Sequence, residues 1–328
     1  MQAVRLRRLR KNKAIRDLLS QTKLGSKDII LPYFVVEGKN IKEPIKSMPG
    51  INHLSVDNLL KDLSGNRSVK SVLLFGLTEK KDSLASQAYK RSGPIQEAIG
   101  ALKKEFKDLT VITDVCLCGY TSHGHCGLLS EPKAGKRQKV IIDNDATLKI
   151  LAKIALSHAD AGADFIAPSA MMDGQVRAIR ETLDSKGFGE VGIMAYSAKY
   201  ASHFYGPFRE ALDSVPQFGD RKSYQMDFRN SDEALREIKQ DIDEGADIVM
   251  IKPALAYLDI IYRAKQKFNI PIAAYSVSGE YSMIKKASEG SKAKEKELCQ
   301  EVLTSMKRAG ADLIITYWAK DIIKWLKQ

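Results

Sequence analysis

The sequence predicts a single (β/α)8 barrel preceded by a basic arm, and three observations carry that expectation. The first is a phrase that recurs three times: Ala161-Gly-Ala-Asp-Phe-Ile166, Glu244-Gly-Ala-Asp-Ile-Val249 and Ala309-Gly-Ala-Asp-Leu-Ile314. Each copy follows a helix-like segment and opens an apolar run, as expected where a glycine closes a helix and a buried strand begins. The second is that these runs are continuously apolar rather than alternating, the mark of parallel strands covered on both faces. The third is length: 328 residues, 44% hydrophobic and 28% charged, are enough to bury one large barrel core.

In chain order the strand candidates lie near Ile29–Glu37, Ser71–Gly76, Leu109–Val115, Asp164–Ser169, Val191–Lys199, Asp247–Pro253, Pro271–Ser278 and Asp312–Tyr317. Amphipathic stretches with helical spacing sit between most of them, at Asp145–Ala159, Gly174–Ser185, Ser231–Glu244 and Lys294–Arg308. In the third of these, Ser231 precedes Ala234, Leu235, Ile238 and Ile242, which reads as a capped start followed by a one-sided apolar stripe. An open doubly wound sheet would share these local patterns. No GxGxxG follows the first strand, which disfavours its dinucleotide-binding form. Two features disturb the count. Pro32 interrupts the first strand, where a central parallel strand should avoid proline. Tyr200–Phe228, rich in aromatics, glycine and charge, is too long for an ordinary loop and is expected to be an active-site lid. The expected organisation is an arm over residues 1–27 and one catalytic barrel over 28–328.

Composition removes several classes of function. No apolar run reaches the ~18 residues of a membrane span, and four cysteines are too few for a disulfide scaffold. The N-terminus, MQAVRLRRLRKNKAIR, has no apolar export segment, so a cytoplasmic protein is expected. The net charge of +12 is concentrated in residues 1–27, which hold nine basic residues and one acidic residue. Such an arm can bind nucleic acid or a membrane surface, act as a transit peptide, or pack on another subunit. Leucines interrupt its arginines and no aromatic platform accompanies them, which disfavours nucleic acid.

In a barrel of this class, reactive groups gather where the strands end. The third strand continues into Cys116-Leu-Cys118 and, past Gly119 and Gly124, to Cys126. Cys116 and Cys118 face one side of an extended segment, and Cys126 can return to them through the loop. Three thiolates suit tetrahedral zinc with one position left open; His123 or His125 would instead close the site, and the cysteines could equally be buried structural thiols. The fifth and sixth strands end in Lys199 and Lys252. A desolvated amine facing a second cation loses its proton and can attack a carbonyl to form a Schiff base, although a single strand-end lysine is more often a snorkelling surface group. Within the lid candidate, Arg209 and Arg221 match a carboxylate clamp or ordinary surface ion pairs. Ser278 and Tyr317 end strands seven and eight, with hydroxyls for a second carboxylate or for the backbone.

Taken together, these phrases closely resemble the porphobilinogen synthase (5-aminolevulinate dehydratase) family over nearly the whole chain. The matching stretches include Asp114-Val-Cys-Leu-Cys118, Tyr120-Thr-Ser-His-Gly-His-Cys-Gly127, Tyr196-Ser-Ala-Lys-Tyr200, Phe204-Tyr-Gly-Pro-Phe-Arg209, Gly219-Asp-Arg-Lys-Ser-Tyr-Gln225, Met250-Ile-Lys-Pro-Ala254 and Val277-Ser-Gly-Glu-Tyr281. The resemblance implies a lyase of tetrapyrrole biosynthesis that condenses two 5-aminolevulinate molecules to porphobilinogen with loss of two waters. It implies Schiff bases on Lys252 (propionate side) and Lys199 (acetate side). It also implies acetate-side carboxylate binding by Arg209 and Arg221, propionate-side binding by Ser278 and Tyr317, and catalytic zinc on Cys116, Cys118 and Cys126. Asp114 and Ser169 would line the same mouth. Glu237 matches a position that holds allosteric magnesium in part of the family, and is otherwise an ordinary solvent-facing glutamate. The arm would wrap a neighbour in a homo-octamer. Ala170 and Gln175 stand where many relatives carry aspartate and arginine, and Gly119 where several carry a bulkier residue. A class I aldolase-type barrel is the nearest rival, but it needs neither the thiolate trio nor the second lysine.

Overall fold

The computed structural model describes residues 4–130 and 141–327. Residues 1–3 of the expected arm, and residues 131–140 and 328 of the expected barrel, lie outside the described residues. Eight parallel strands run in sequence order around the barrel: β1 Ile29–Val36, β2 Ser71–Leu77, β3 Thr110–Val115, β4 Phe165–Pro168, β5 Gly192–Lys199, β6 Ile248–Lys252, β7 Ile272–Ser276 and β8 Leu313–Thr316. Closure comes from pairing of β1 with β8, through Ile29 with Ile314 and Ile30 with Ile315. Every residue of β6 and β7 is buried, as continuous apolar runs require of strands covered on both faces. The four anticipated helices are present at Asn144–Asp160, Gln175–Ser185, Asp232–Asp243 and Lys292–Ala309.

The recurring phrase does more than stop helices. Gly162, Gly245 and Gly310 all take positive φ (103°, 103° and 123°), the conformation glycine adopts at lowest cost. The aspartate two residues later accepts a hydrogen bond from the backbone N–H at or near the start of the preceding strand. Asp164 accepts from Val111 (2.7 Å), Asp247 from Ile193 (2.7 Å) and Asp312 from Ile272 (2.8 Å). Each copy therefore ties an even-numbered strand to its odd-numbered neighbour at the end of the barrel opposite the reactive groups.

Two expectations need correction. Pro32 does not interrupt β1, which runs unbroken through it. The β8 ladder ends at Ile30 and the pairing of β1 with a small strand, Asn52–Leu54, begins only at Phe34. The proline thus occupies a stretch where one side of β1 has no strand partner, and its missing N–H costs no ladder bond on that side. The Asn52–Leu54 strand forms an antiparallel hairpin with Lys42–Pro44 that the sequence pattern did not reveal. Ser231 does not cap its helix through its side chain; its hydroxyl accepts from the Arg263 guanidinium at 2.6 Å.

Residues 200–228 are not an extended loop. Tyr200 bridges Met226 in parallel, and the short helices His203–Tyr205 and Gly206–Ala211 lie between. Tyr205, Ala211, Leu212, Ser214, Arg221, Gln225 and Met226 are buried, so the segment packs onto the barrel. Its seat is Gly279, where a Cβ would come within 2.5 Å of the Phe204 carbonyl oxygen.

Candidate active site

Strands β5 and β6 place two lysines side by side. Their register begins with Ile248 opposite Met194 and Val249 opposite Ala195, then shifts so that Ile251 faces Ala198 and Lys252 faces Lys199. The shift is one extra residue in β5, at Tyr196–Ser197. Without it Lys252 would face Ala198, and because side chains alternate with a period of two, the two lysines would point to opposite faces. The bulge puts both amines at one rim.

Both lysines are buried. The Lys199 ammonium donates to the Ser169 carbonyl oxygen. Lys252 Nζ lies among aromatic rings, 4.2 Å from the centre of Tyr275, 4.5 Å from Phe208, 5.1 Å from Tyr196, 5.4 Å from Tyr205 and 6.0 Å from Phe75. Burial pushes the Lys252 amine down to about 7, the Lys199 charge pushes the same way, and Asp114 with the nearby sulfurs opposes. Near neutral pH a large share of this amine is therefore free of its proton. Asp114, half-buried, is pushed up to about 6 by desolvation, against the pull of Lys199, a hydrogen bond from Ser169 and the pull of Lys252. One of its oxygens has no partner among the described residues. A carboxyl whose pKa is raised toward neutrality and that feels the charge of both amines is suited to receiving and returning protons.

The three cysteines are all buried and free. Their sulfurs lie within 4.8 Å of one another, with Cys116 and Cys118 3.4 Å apart. Thiolates bound to one zinc at ~2.3 Å in a tetrahedron stand roughly 3.8 Å apart, so the trio fits that ion with little movement. The Cys126 thiol is held well below its usual range by thiol donors from Cys116 and Cys118, then by the charges of Arg221 and Lys199. Both ring nitrogens of His125 are engaged elsewhere, Nδ1 with the Tyr224 hydroxyl (3.0 Å) and Nε2 with the Phe218 carbonyl oxygen (2.9 Å). Among the described residues no histidine or carboxylate joins the sulfur cluster.

Around this centre the other expected residues are distributed as follows. Arg221 is buried, its guanidinium donating to the Gly124 (2.9 Å) and Ser214 (2.6 Å) carbonyl oxygens. Burial would lower its pKa, but the cysteine sulfurs hold it above its ordinary value. Arg209 is half-buried, its Nε lacks a partner among the described residues, and burial with the Arg221 charge weakens its hold on its proton. The charge of Arg221 is felt at Arg209, and the Cys126 sulfur acts on both. Across the mouth, the Ser278 hydroxyl accepts from Phe208 N–H (3.0 Å), and Tyr317 shares a 3.1 Å hydrogen bond with Tyr275. Ser169 lies between Lys199 and Asp114, bonded to both.

Glu237 is set apart from the lysines. It lines a cavity of about 570 Å³ that also includes Asp173, Asp227, Glu233 and Asp241. Burial, Asp173 and Glu233 push its pKa up against the pull of Arg236, and Lys222 lines the same cavity. The replaced family positions are accommodated locally. Ala170 is buried, and the Gln175 amide bridges the Pro168 carbonyl oxygen (3.4 Å) and Met172 N–H (3.3 Å). At Gly119 a Cβ would come within 2.8 Å of the Gly76 carbonyl oxygen, so this backbone requires the glycine.

The sequence reading assigned no role to Glu280 or to the rings around Lys252. One Glu280 oxygen accepts from Ala254 (3.1 Å) and Leu255 (2.8 Å) N–H, just past Lys252, and the other accepts from Val277 N–H (3.1 Å), just before Ser278. A single buried carboxylate thus ties the two halves of the mouth. Its legible signal was its place three residues after Val277, the position of a reciprocal helix cap. The rings come from three strands and the 200–228 segment, and no local spacing connects them.

Comparison with known proteins places this geometry. The sequence model described as Delta-aminolevulinic acid dehydratase matches residues 3–325. A curated protein of that description from Bacillus subtilis (strain 168) is 52% identical over 99% of this chain and 98% of its own length. One from Methanothermus sociabilis is 56% identical over 98% of each. A crystal structure of delta-aminolevulinic acid dehydratase (porphobilinogen synthase) from Toxoplasma gondii ME49, in complex with the reaction product porphobilinogen, superposes with a TM-score of 0.93. It shares 46% identity over 99% of this chain and 92% of that one.

Proposed function

The chain belongs to the delta-aminolevulinic acid dehydratase family, and from that premise we propose that it is a porphobilinogen synthase, a hydro-lyase that joins two 5-aminolevulinate molecules through imines on Lys252 and Lys199. The observation that carries this reading is the in-register pairing of two buried lysines at one strand rim. In the proposed reaction the neutral Lys252 amine attacks a substrate ketone. The nitrogen–carbon bond forms, the ketone oxygen leaves as water, and the imine acidifies the adjacent carbon. A second imine at Lys199 holds the partner molecule, so that the carbon–carbon and carbon–nitrogen bonds form between tethered groups. Tethering of this kind can supply effective molarities of ~10⁵ M or more. Asp114 and Ser169 carry protons between the amines. Arg209 and Arg221 receive the acetate-side carboxylate, and Ser278 and Tyr317 the propionate-side one.

Cys116, Cys118 and Cys126 would hold zinc, which would supply Lewis-acid polarisation and orientation of the acetate-side substrate. Glu237, in a cavity it shares with four other acidic residues, would hold a regulatory magnesium ion. Residues 200–228 act as the lid. We assign the protein to the cytoplasm; no helix among the described residues is long and apolar enough to cross a membrane. The arm packs on a neighbour in a homo-octamer, a reading supported by its uncovered Leu6, Leu9 and Leu18, which are 69%, 58% and 81% exposed. The test is incubation with 5-aminolevulinate and colorimetric detection of the pyrrole. The expected result is product that disappears with a chelator and returns with zinc; an undiminished rate after exhaustive chelation would overturn the metal assignment.

A further inference from the structure

Five aromatic rings converge on one amine in this molecule. Tyr275 (β7), Tyr196 (β5) and Phe75 (β2) come from the barrel wall, and Tyr205 and Phe208 from the segment packed over its mouth. Lys199, on the neighbouring strand, has only Tyr196 within the same range, at 5.5 Å, and satisfies itself on the Ser169 carbonyl oxygen. No hydrogen-bond acceptor for Lys252 Nζ is found among the described residues.

An aromatic face attracts positive charge through its quadrupole, most strongly where water is excluded. Unlike a carboxylate, it neither removes a proton nor attacks an electrophile. We propose that these rings form an electrostatic box that stabilises the positively charged imine on Lys252, with the lid residue Phe208 supplying one wall. The proposal rests on the Schiff-base reading above and adds to it the reason that the cation persists there. When the Lys252 amine condenses with a ketone, water departs and one proton is taken up, leaving the charge on a nitrogen that has barely moved. The rings that surrounded the amine then surround the iminium. Because two rings arrive with the 200–228 segment, seating that segment and stabilising the imine become one event.

Other groups also act on this charge. Lys199 repels it, while Asp114, Cys116 and Cys118 attract it. The experiment must therefore change the rings alone. Replacing Phe208 in the full-length protein with mono-, di- and trifluorophenylalanine keeps its shape and withdraws charge from its face. The fraction of Lys252 trapped by borohydride with 5-aminolevulinate should fall stepwise, by roughly tenfold across the series. A rescue arm with Phe208→Trp should retain trapping, and Phe208→Leu should lose it. A flat response to fluorination would overturn the box. If the unmodified protein formed no adduct at all, the Schiff-base reading would fail by itself. The box would still be decided by the titration of isotope-labelled Lys252, whose ammonium should lose its proton more readily with each fluorine and would not if the box were absent.

Discussion

The two lysines sit opposite one another in register, yet they occupy different chemical worlds. Lys252 is enclosed by ring faces, with Tyr317 and Ser278 beyond them, and burial has brought its amine close to neutrality. Lys199 is bonded to a carbonyl oxygen and stands on the side of Asp114, the three sulfurs and the two arginines. Two identical substrates can receive different fates only if the places that hold them differ. The asymmetry is written in the strand ends: β7 and β8 lead to the hydroxyls of Ser278 and Tyr317, whereas β3 leads to sulfur.

The comparison can be broken most severely at Lys252. Lys252→Ala removes the amine that the rings enclose, and turnover should drop by about 10⁴-fold or more. Full activity in that variant would refute the division of labour. The sulfur half comes next. Cys126→Ser removes one sulfur of the trio, and should cost about 10²-fold in rate together with a stoichiometric loss of bound zinc by elemental analysis. Loss of rate without loss of metal would place the zinc elsewhere. The smallest effect is expected at Tyr317→Phe. The ring stays stacked on Phe34, 6.1 Å between centres, while one hydroxyl bonded to Tyr275 is lost. KM should rise by a few-fold to about tenfold, with kcat nearly unchanged.

Much of this was legible in the chain because the barrel writes its order locally. The three Gly-Ala-Asp phrases marked helix ends and strand starts, and the strand ends carried Cys116, Cys118, Lys199 and Lys252 within short motifs. The features that escaped are those made by distant segments. The ring box gathers Phe75, Tyr196, Tyr205, Phe208 and Tyr275 from across 200 residues of chain. The bulge that aligns the lysines is a count between two strands, invisible in either alone. Pro32 was misread for a related reason: whether a proline harms a strand depends on which neighbour is present beside it, and the gap between the two ladders is a property of the closed barrel.

The most direct test of the central claim is borohydride reduction in the presence of 5-aminolevulinate, with the modified residues located by mass spectrometry as a function of pH. Labelling should fall on Lys252 and Lys199. At Lys252 it should increase as pH rises through about 7, because the neutral amine is the nucleophile and burial has lowered its pKa to that region. Label on other lysines, or Lys252 labelling that begins only near pH 10, would contradict the account.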